Sequence, residues 1–199
     1  MNAGHEAGLG RVRIIGGHWR GTRLPVPNKP GLRPTSDRVR ETLFNWLQAE
    51  LPGARVLDLF AGSGALGLEA VSRGAAQAHL VETDSGLLQA LRATVQRLAA
   101  ADRVLVHGID ARRFLAEWMG PRFDIAFVDP PFNSNLWADV LAALEGKIAT
   151  NGWLYVESPF DMTPDPGPDW ALHRENRTRE VRYALYRRGK IEPSPYPGG

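Results

Sequence analysis

An α/β fold built on an open, mostly parallel sheet is the class this sequence predicts, and three observations predict it. Short apolar runs at residues 56–60, 78–82, 104–107, 123–128 and 153–157 alternate with helical patterns near 64–73, 84–100, 110–118 and 135–149. The runs are close to continuously apolar, as strands are when helices cover both faces of a parallel sheet. Two late runs, 170–173 and 181–187, have no helix between them and so predict an antiparallel hairpin at the sheet edge. Gly74 and Gly152 stand where helix C-termini are expected.

The flanks read differently. Residues 11–27, RVRIIGGHWRGTRLPVP, alternate apolar and basic residues around a glycine-rich turn. They predict a β-hairpin that stands away from the domain, decorated by Arg11, Arg13, Arg20 and Arg23. Residues 28–34 read as a loop. Val39, Leu43, Trp46 and Leu47 then recur at helical spacing, with Thr35, Ser36 or Asp37 as N-cap. Residues 160–168 form a proline-rich loop, and the closing EPSPYPGG reads as disordered.

With 199 residues, 43% of them hydrophobic, the chain can bury a core without staples. It has no cysteine, which removes disulfides, thiolate metal sites and thiol nucleophiles together. Base methylation at pyrimidine C5, which needs a thiolate, goes with them. The five histidines have no ligand spacing, so no metal is expected. No apolar stretch approaches a membrane span and the N-terminus has no signal-peptide core, so a cytoplasmic location is expected; a monomer is the working expectation for its assembly. Charge is uneven: residues 1–40 carry +6, 41–169 carry −8 and 170–199 carry +4. Basic flanks around an acidic middle suit a polyanion gripped at the edges and a cationic ligand held centrally.

The first parallel strand ends in Asp58-Leu-Phe-Ala-Gly62-Ser-Gly64, running on to Gly67. Such a turn lets backbone approach a ligand and presents free helix N–H groups, at the edge where open α/β sheets bind ligands. Residues 62–67 also satisfy the dinucleotide pattern GxGxxG, and Glu82 ends the next strand, where an acid takes ribose hydroxyls. NAD and S-adenosylmethionine both remain open on these features. Asp58 tips the choice. Beside a pyrophosphate it would repel; beside the ammonium and sulfonium of S-adenosylmethionine it would attract. Asp110 could contact adenine, or could equally cap the helix that follows it.

The fourth run ends in Asp129-Pro130-Pro131-Phe132. The prolines fix the backbone and withhold two N–H donors, so a carboxylate and the Pro130 carbonyl can face one point. Two adjacent acceptors suit a flat –NH2 group, whose lone pair they turn toward an electrophilic methyl. Phe132 offers a stacking face for a base.

These residues carry a resemblance. Asp-Leu-Phe-Ala-Gly-Ser-Gly-Ala-Leu-Gly at 58–67, Val-Glu-Thr-Asp at 81–84 and Asp-Pro-Pro-Phe at 129–132 resemble the class I amino-methyltransferases. Arg-Ile-Ile-Gly-Gly-His-Trp-Arg-Gly at 13–21 and the block LRPTSDRVRETLFNWL at 32–47 narrow it to the RsmD family. Members of that family are bacterial enzymes that methylate guanine N2 in 16S ribosomal RNA of the small subunit. The resemblance implies a Rossmann-like, seven-stranded, mostly parallel sheet with an antiparallel last hairpin, plus an N-terminal hairpin extension. The expected division is a basic N-terminal arm at 1–34, a methyltransferase domain at 35–190 and, outside the resemblance, a disordered tail at 191–199. The resemblance also implies Asp58, Gly62 and Gly64 at the methionine end of S-adenosylmethionine, Glu82 at the ribose, and Asp110 with Ala111 at the adenine. Asp129, Pro130 and Phe132 would grip the guanine, and residues 33–35 would help close the cofactor pocket.

A base edge is unreachable while stacked, so the target must lie in a loop or be flipped out. Arg11, Arg13, Arg20, Arg23, Arg33 and Arg38 are the candidates for RNA contact; Trp19 could stack on a base or pack into the core. Arg40, two residues past Arg38, points elsewhere on the helix. The rival readings are another amino substrate (adenine N6, cytosine N4 or protein glutamine) and, more distantly, an NAD-dependent oxidoreductase or a catalytically silent RNA-binding module.

Overall fold

The computed structural model describes residues 12–26 and 36–189. Arg11, Arg33, Thr35, the 28–34 loop and the 191–199 tail lie outside the described residues. β1 (Val12–Arg13) and β2 (Arg23–Leu24) pair antiparallel as a small ribbon, and α1 (Asp37–Trp46) follows. Strands then alternate with helices: β3 (Arg55–Asp58), α2 (Ala65–Ser72), β4 (Gln77–Glu82), α3 (Ser85–Arg97), β5 (Val104–Gly108), α4 (Ala111–Glu117), β6 (Phe123–Val128) and α5 (Trp137–Ala143). β7 (Ile148–Pro159), β8 (Trp170–Arg177) and β9 (Val181–Arg188) complete a seven-stranded sheet of order β5-β4-β3-β6-β7-β9-β8.

β3 to β7 run parallel, and β9 is antiparallel to both β7 and β8. The chain winds outward from β3 to β5, then returns to lay β6 on the other side of β3. The switch point therefore falls between β3 and β6, where the crevice outside the carboxyl ends of parallel strands accepts ligands. Strand alternation splits the core. Val56, Ile125, Phe127 and Tyr155 face α1, α2, α3 and the ribbon, whereas Leu57, Ala126, Val128 and Val156 face α4 and α5.

Three expectations change. The helix expected at 135–149 spans only Trp137–Ala143; the chain turns through Gly146, at φ 72°, and Ile148 already pairs with Phe123 in β7. Gly152 is thus inside a strand, where a Cβ would meet the Asp124 carbonyl at 2.9 Å; it permits close backbone approach beside the β6–β7 irregularity instead of ending a helix.

The N-terminal ribbon does not stand away from the domain. Val12, Ile14, Trp19, Leu24 and Val26 are buried in the core. Its anchor is Glu69, fully buried on α2, whose carboxylate accepts the amides of Ile15 (2.6 Å) and Gly16 (2.7 Å) and the Arg73 Nε (2.7 Å). Arg40, also fully buried, donates to the Arg13 carbonyl at 2.9 Å and to Asp37 at 2.6 Å, and its charge lies 3.8 Å from Glu69. Gly17, at φ 74°, lies so close to α2 that a Cβ would fall 1.8 Å from the Ser72 carbonyl oxygen. The Gly-Gly of the hairpin is therefore a docking requirement as well as a turn. Trp19 takes the core alternative, with the Arg103 guanidinium 5.3 Å from its ring centre.

Candidate active site at the sheet switch point

Acids gather at one edge of the parallel strands: β3 ends on Asp58 and β4 on Glu82, Asp129 follows the end of β6, and Glu157 follows the last β6–β7 pair, two residues before β7 ends. Asp58 is 3% exposed, and its Oδ2 accepts the Gly67 amide at 2.9 Å, which ties the end of β3 to the first turn of α2. Burial, with Asp129 and Glu82 as negative neighbours, raises its pKa from 3.8 to about 7, against the lowering effect of the Gly67 amide. Burial dominates that rise. A cation seated here would bring the carboxylate back to its charged form.

The loop between β3 and α2 is held in a ligand-accepting shape. Gly62 and Gly64 adopt φ 53° and 80°, and at Gly64 a Cβ would sit 2.6 Å from Leu91 Cδ1. Only glycine fits that left-handed, crowded position. Glu82 receives the Gly62 amide at 2.9 Å through Oε2, and the Thr83 and Asp84 amides at 2.7 and 2.8 Å through Oε1. A half-buried carboxylate fixed beside the glycine turn retains lone pairs for a diol. The donor set thus fits S-adenosylmethionine: a carboxylate for the ammonium and sulfonium at Asp58, half-buried side-chain-free backbone at Gly62, and acceptors for the ribose at Glu82.

Asp110 caps α4. Its Oδ1 accepts the amides of Arg112 at 2.9 Å and Arg113 at 3.3 Å. Slight burial pushes its carboxyl up, but those amides and the Arg112 guanidinium hold it below the ordinary range. The capping alternative is therefore occupied, with Ala111 buried behind it. Its place after β5 is also the place expected for an adenine contact.

Across the switch point, Asp129 is half-buried, Pro130 buried and Phe132 half-buried, its ring 6.1 Å from that of Trp137. The Pro131 carbonyl closes the turn, accepting the Ser134 amide at 2.9 Å and hydroxyl at 2.6 Å. Asp129 contributes to the raised pKa of Asp58, so the two carboxylates share one electrostatic space. Tyr155 and Glu157 enter this site although the sequence reading passed over them. The Tyr155 hydroxyl donates to Glu157 Oε2 at 2.8 Å, and Trp137 Nε1 donates to the Glu157 carbonyl at 2.8 Å. Burial first, then the charges of Glu157 and Asp129, hold the Tyr155 hydroxyl well above its ordinary pKa. No local pattern marked them, because Glu157 is set level with Asp129 only by the β6–β7 register, in which Val128 pairs with Val156.

The arginines scatter. Arg13, Arg20, Arg23 and Arg38 are exposed, and Arg13 pairs with Asp37 at 3.4 Å. Arg20 follows Trp19, whose amide bonds the Ser72 hydroxyl at 2.9 Å. Ser72 ends α2, which runs away from the glycine loop, so Arg20 lies toward the edge of the sheet opposite the acids. Among the described residues no group of three or more His, Asp or Glu side chains is placed to hold a metal. No described helix is long and apolar enough to cross a membrane.

Comparison with known proteins decides the lineage. Residues 12–187 match the family model described as conserved hypothetical protein 95. The chain is 48% identical over 191 residues to ribosomal RNA small subunit methyltransferase D of Escherichia coli strain K12, covering 94% of this chain and 96% of that one. The chain belongs to the RsmD family. The Haemophilus influenzae protein of the same name is 41% identical over 181 residues, covering 89% of this chain and 94% of that one. A solved Escherichia coli structure superposes with a TM-score of 0.81 at 47% identity, covering 90% of this chain and 99% of that one. This RsmD-family fold is therefore the class I methyltransferase sheet with its antiparallel final hairpin and an N-terminal ribbon.

Proposed function

We propose that this RsmD-family protein transfers the methyl group of S-adenosylmethionine to the exocyclic N2 of a guanine in 16S ribosomal RNA. In this reading it works as a cytoplasmic monomer on the small ribosomal subunit. The observation that carries the reading is the placement of Asp129 and Pro130 directly across the switch point from Asp58 and the glycine turn. S-adenosylmethionine supplies an already activated methyl group. The chain supplies position and charge.

Asp58 receives the cationic end of the cofactor, Gly62 and Gly64 admit its backbone-facing edge, Glu82 takes the ribose, and Asp110 with Ala111 borders the adenine. Asp129 and the Pro130 carbonyl each accept one N–H of the guanine amino group, which turns its lone pair out of conjugation toward the methyl. Phe132 stacks on the base. Bound S-adenosylmethionine would supply its activated methyl group to the oriented amino nitrogen, and Asp129 would pass to solvent the proton that the nitrogen then sheds. This is catalysis by orientation and preorganised electrostatics. Extruding the base costs about a few kcal/mol, which contacts elsewhere on the RNA must offset. Arg13, Arg23 and Arg38 are candidates for those contacts, with Arg11 and Arg33 beside them in the sequence and Arg20 farther round the domain.

The test is transfer of labelled methyl from S-adenosylmethionine to small subunits, free 16S RNA, protein and DNA, followed by nucleoside analysis. The expected product is N2-methylguanosine from small subunits. Label in adenosine, cytidine or protein would replace this substrate with another amino group.

A further inference from the structure

The C-terminal hairpin brings a second basic surface to the catalytic edge. β9 pairs with β7 so that Tyr183 lies opposite Glu157 and Val181 opposite Pro159. The β8–β9 turn therefore projects past the carboxyl ends of the parallel strands, beside the acids. Phe160 leaves β7 at this point and is 50% exposed, although it is a large apolar side chain. It is held in place: its amide donates to the Glu180 carbonyl at 3.1 Å, and its carbonyl accepts Arg177 Nη1 at 3.3 Å. The Thr178 hydroxyl closes the turn by accepting the amides of Glu180 at 3.2 Å and Val181 at 3.0 Å. Arg179 is exposed on this turn, and Arg174 and Arg177, the last residue of β8, are exposed beside it. Buried Arg182 and Arg177 share Glu175, which offsets the acid nearest to them.

A lone exposed apolar side chain is ordinary. An exposed aromatic whose backbone is held by the Glu180 carbonyl and the Arg177 guanidinium, three residues beyond Glu157, is a different case. At about 3.3 Å per strand residue, Phe160 lies about 10 Å past the acids and one strand over from Asp129. A nucleotide adjoining one bound at Asp129 spans that distance. Single-stranded nucleic acid is held by this combination, bases stacking on aromatics while arginines meet phosphates.

Resting on the function proposed above, we propose that Phe160, Arg177 and Arg179 form a platform for the RNA strand flanking the target guanosine. Phe160 stacks on a neighbouring base, and the two guanidiniums contact the backbone. The partner is RNA, because Arg174, Arg177, Arg179 and Arg182 outnumber the neighbouring acids Asp161, Glu175 and Glu180, and the surface is continuous with the base-binding crevice.

The test uses the full chain with Phe160→Ala, Arg179→Ala and Arg177→Ala. Binding to an RNA fragment containing the methylated site is measured across a salt series, alongside methyl transfer to small subunits and binding of S-adenosylmethionine. Arg179 makes no contact needed by the turn, so its variant separates RNA contact from misfolding. The expected result is about tenfold weaker RNA binding for Phe160→Ala. For each arginine variant the salt slope falls by about 0.7. Cofactor affinity stays unchanged in all three. Wild-type RNA binding in Phe160→Ala and Arg179→Ala overturns the platform; so does a loss seen with subunits but not with the RNA fragment, which would mean a protein contact. Failure of the wild-type chain to methylate RNA would instead sink the function itself, since binding is read independently.

Discussion

Replacing Asp58 by Asn removes one charge while leaving an oxygen for the Gly67 amide. The wild-type carboxyl is raised from 3.8 to about 7, chiefly by burial. At roughly 1.4 kcal/mol for each pH unit, ionising it in the folded chain without a cation beside it costs about 4 kcal/mol. Because the folded chain holds this proton more tightly than the unfolded chain does, wild-type stability drops as pH rises from about 4 to about 7. Asp58→Asn escapes that loss, so its advantage in thermal unfolding grows over this range and reaches at most about 4 kcal/mol near pH 8. Cofactor binding moves the other way. A cation roughly 4 Å from ionised Asp58 gains about 4 kcal/mol at an effective dielectric of about 20, so Asn weakens S-adenosylmethionine binding about 100-fold or more at about pH 8. At about pH 5.5 the wild-type chain must first release the proton, which lowers its own affinity roughly thirtyfold, whereas the variant's affinity stays flat. Calorimetric titration at the two pH values, with unfolding scans of the free proteins, reads all of this. An Asp58→Asn protein that keeps the wild-type pH slope of binding, or that loses stability at about pH 8, would refute the reasoning.

Glu69→Ala should destabilise the protein by about 3–5 kcal/mol in denaturant titration, because it leaves Arg40 buried beside two unpaired backbone amides. Protease sensitivity of the ribbon should rise with it; an unchanged midpoint would remove Glu69 as the ribbon's anchor. Replacing Arg13, Arg20 and Arg23 together by Ala should weaken RNA binding and flatten its salt dependence, with Arg20 contributing least because it lies toward the opposite edge. Identical salt titrations would take the ribbon out of the RNA-binding account. His79 is lowered from 6.5 to about 4 by burial, then by His107 and Arg55, so the folded chain resists its protonation. Stability should therefore fall as pH drops from about 6.5 to about 4, and His79→Leu should lessen that fall in thermal scans.

The parallel strands, the final hairpin and the glycine turn were legible because each rests on local pattern: continuous apolar runs, a missing crossover helix, glycines at a strand end. The length of α5 was not, because Ala142, Ala143 and Leu144 read as helix while the stop comes from Gly146 and from β7 pairing at Ile148. The docking of the ribbon was hidden for a related reason. Its decisive partner, Glu69, is more than fifty residues away and reads in the sequence as an ordinary helical acid. Asp58 and Asp129 were visible through their motifs, but Glu157 was not, since only the β6–β7 register sets it beside Asp129. The aromatic at Phe160 fell inside a proline-rich loop, where nothing in the local sequence marks its position beside the β8–β9 turn.

The most direct measurement compares Asp129→Ala with the wild-type chain in single-turnover methyl transfer to small subunits, with S-adenosylmethionine affinity measured in parallel. Loss of transfer is expected, with the cofactor still bound, because Asp58, Glu82 and the glycine turn remain in place. Transfer to guanine N2 at close to the wild-type rate would contradict the idea that this carboxylate orients the amino group.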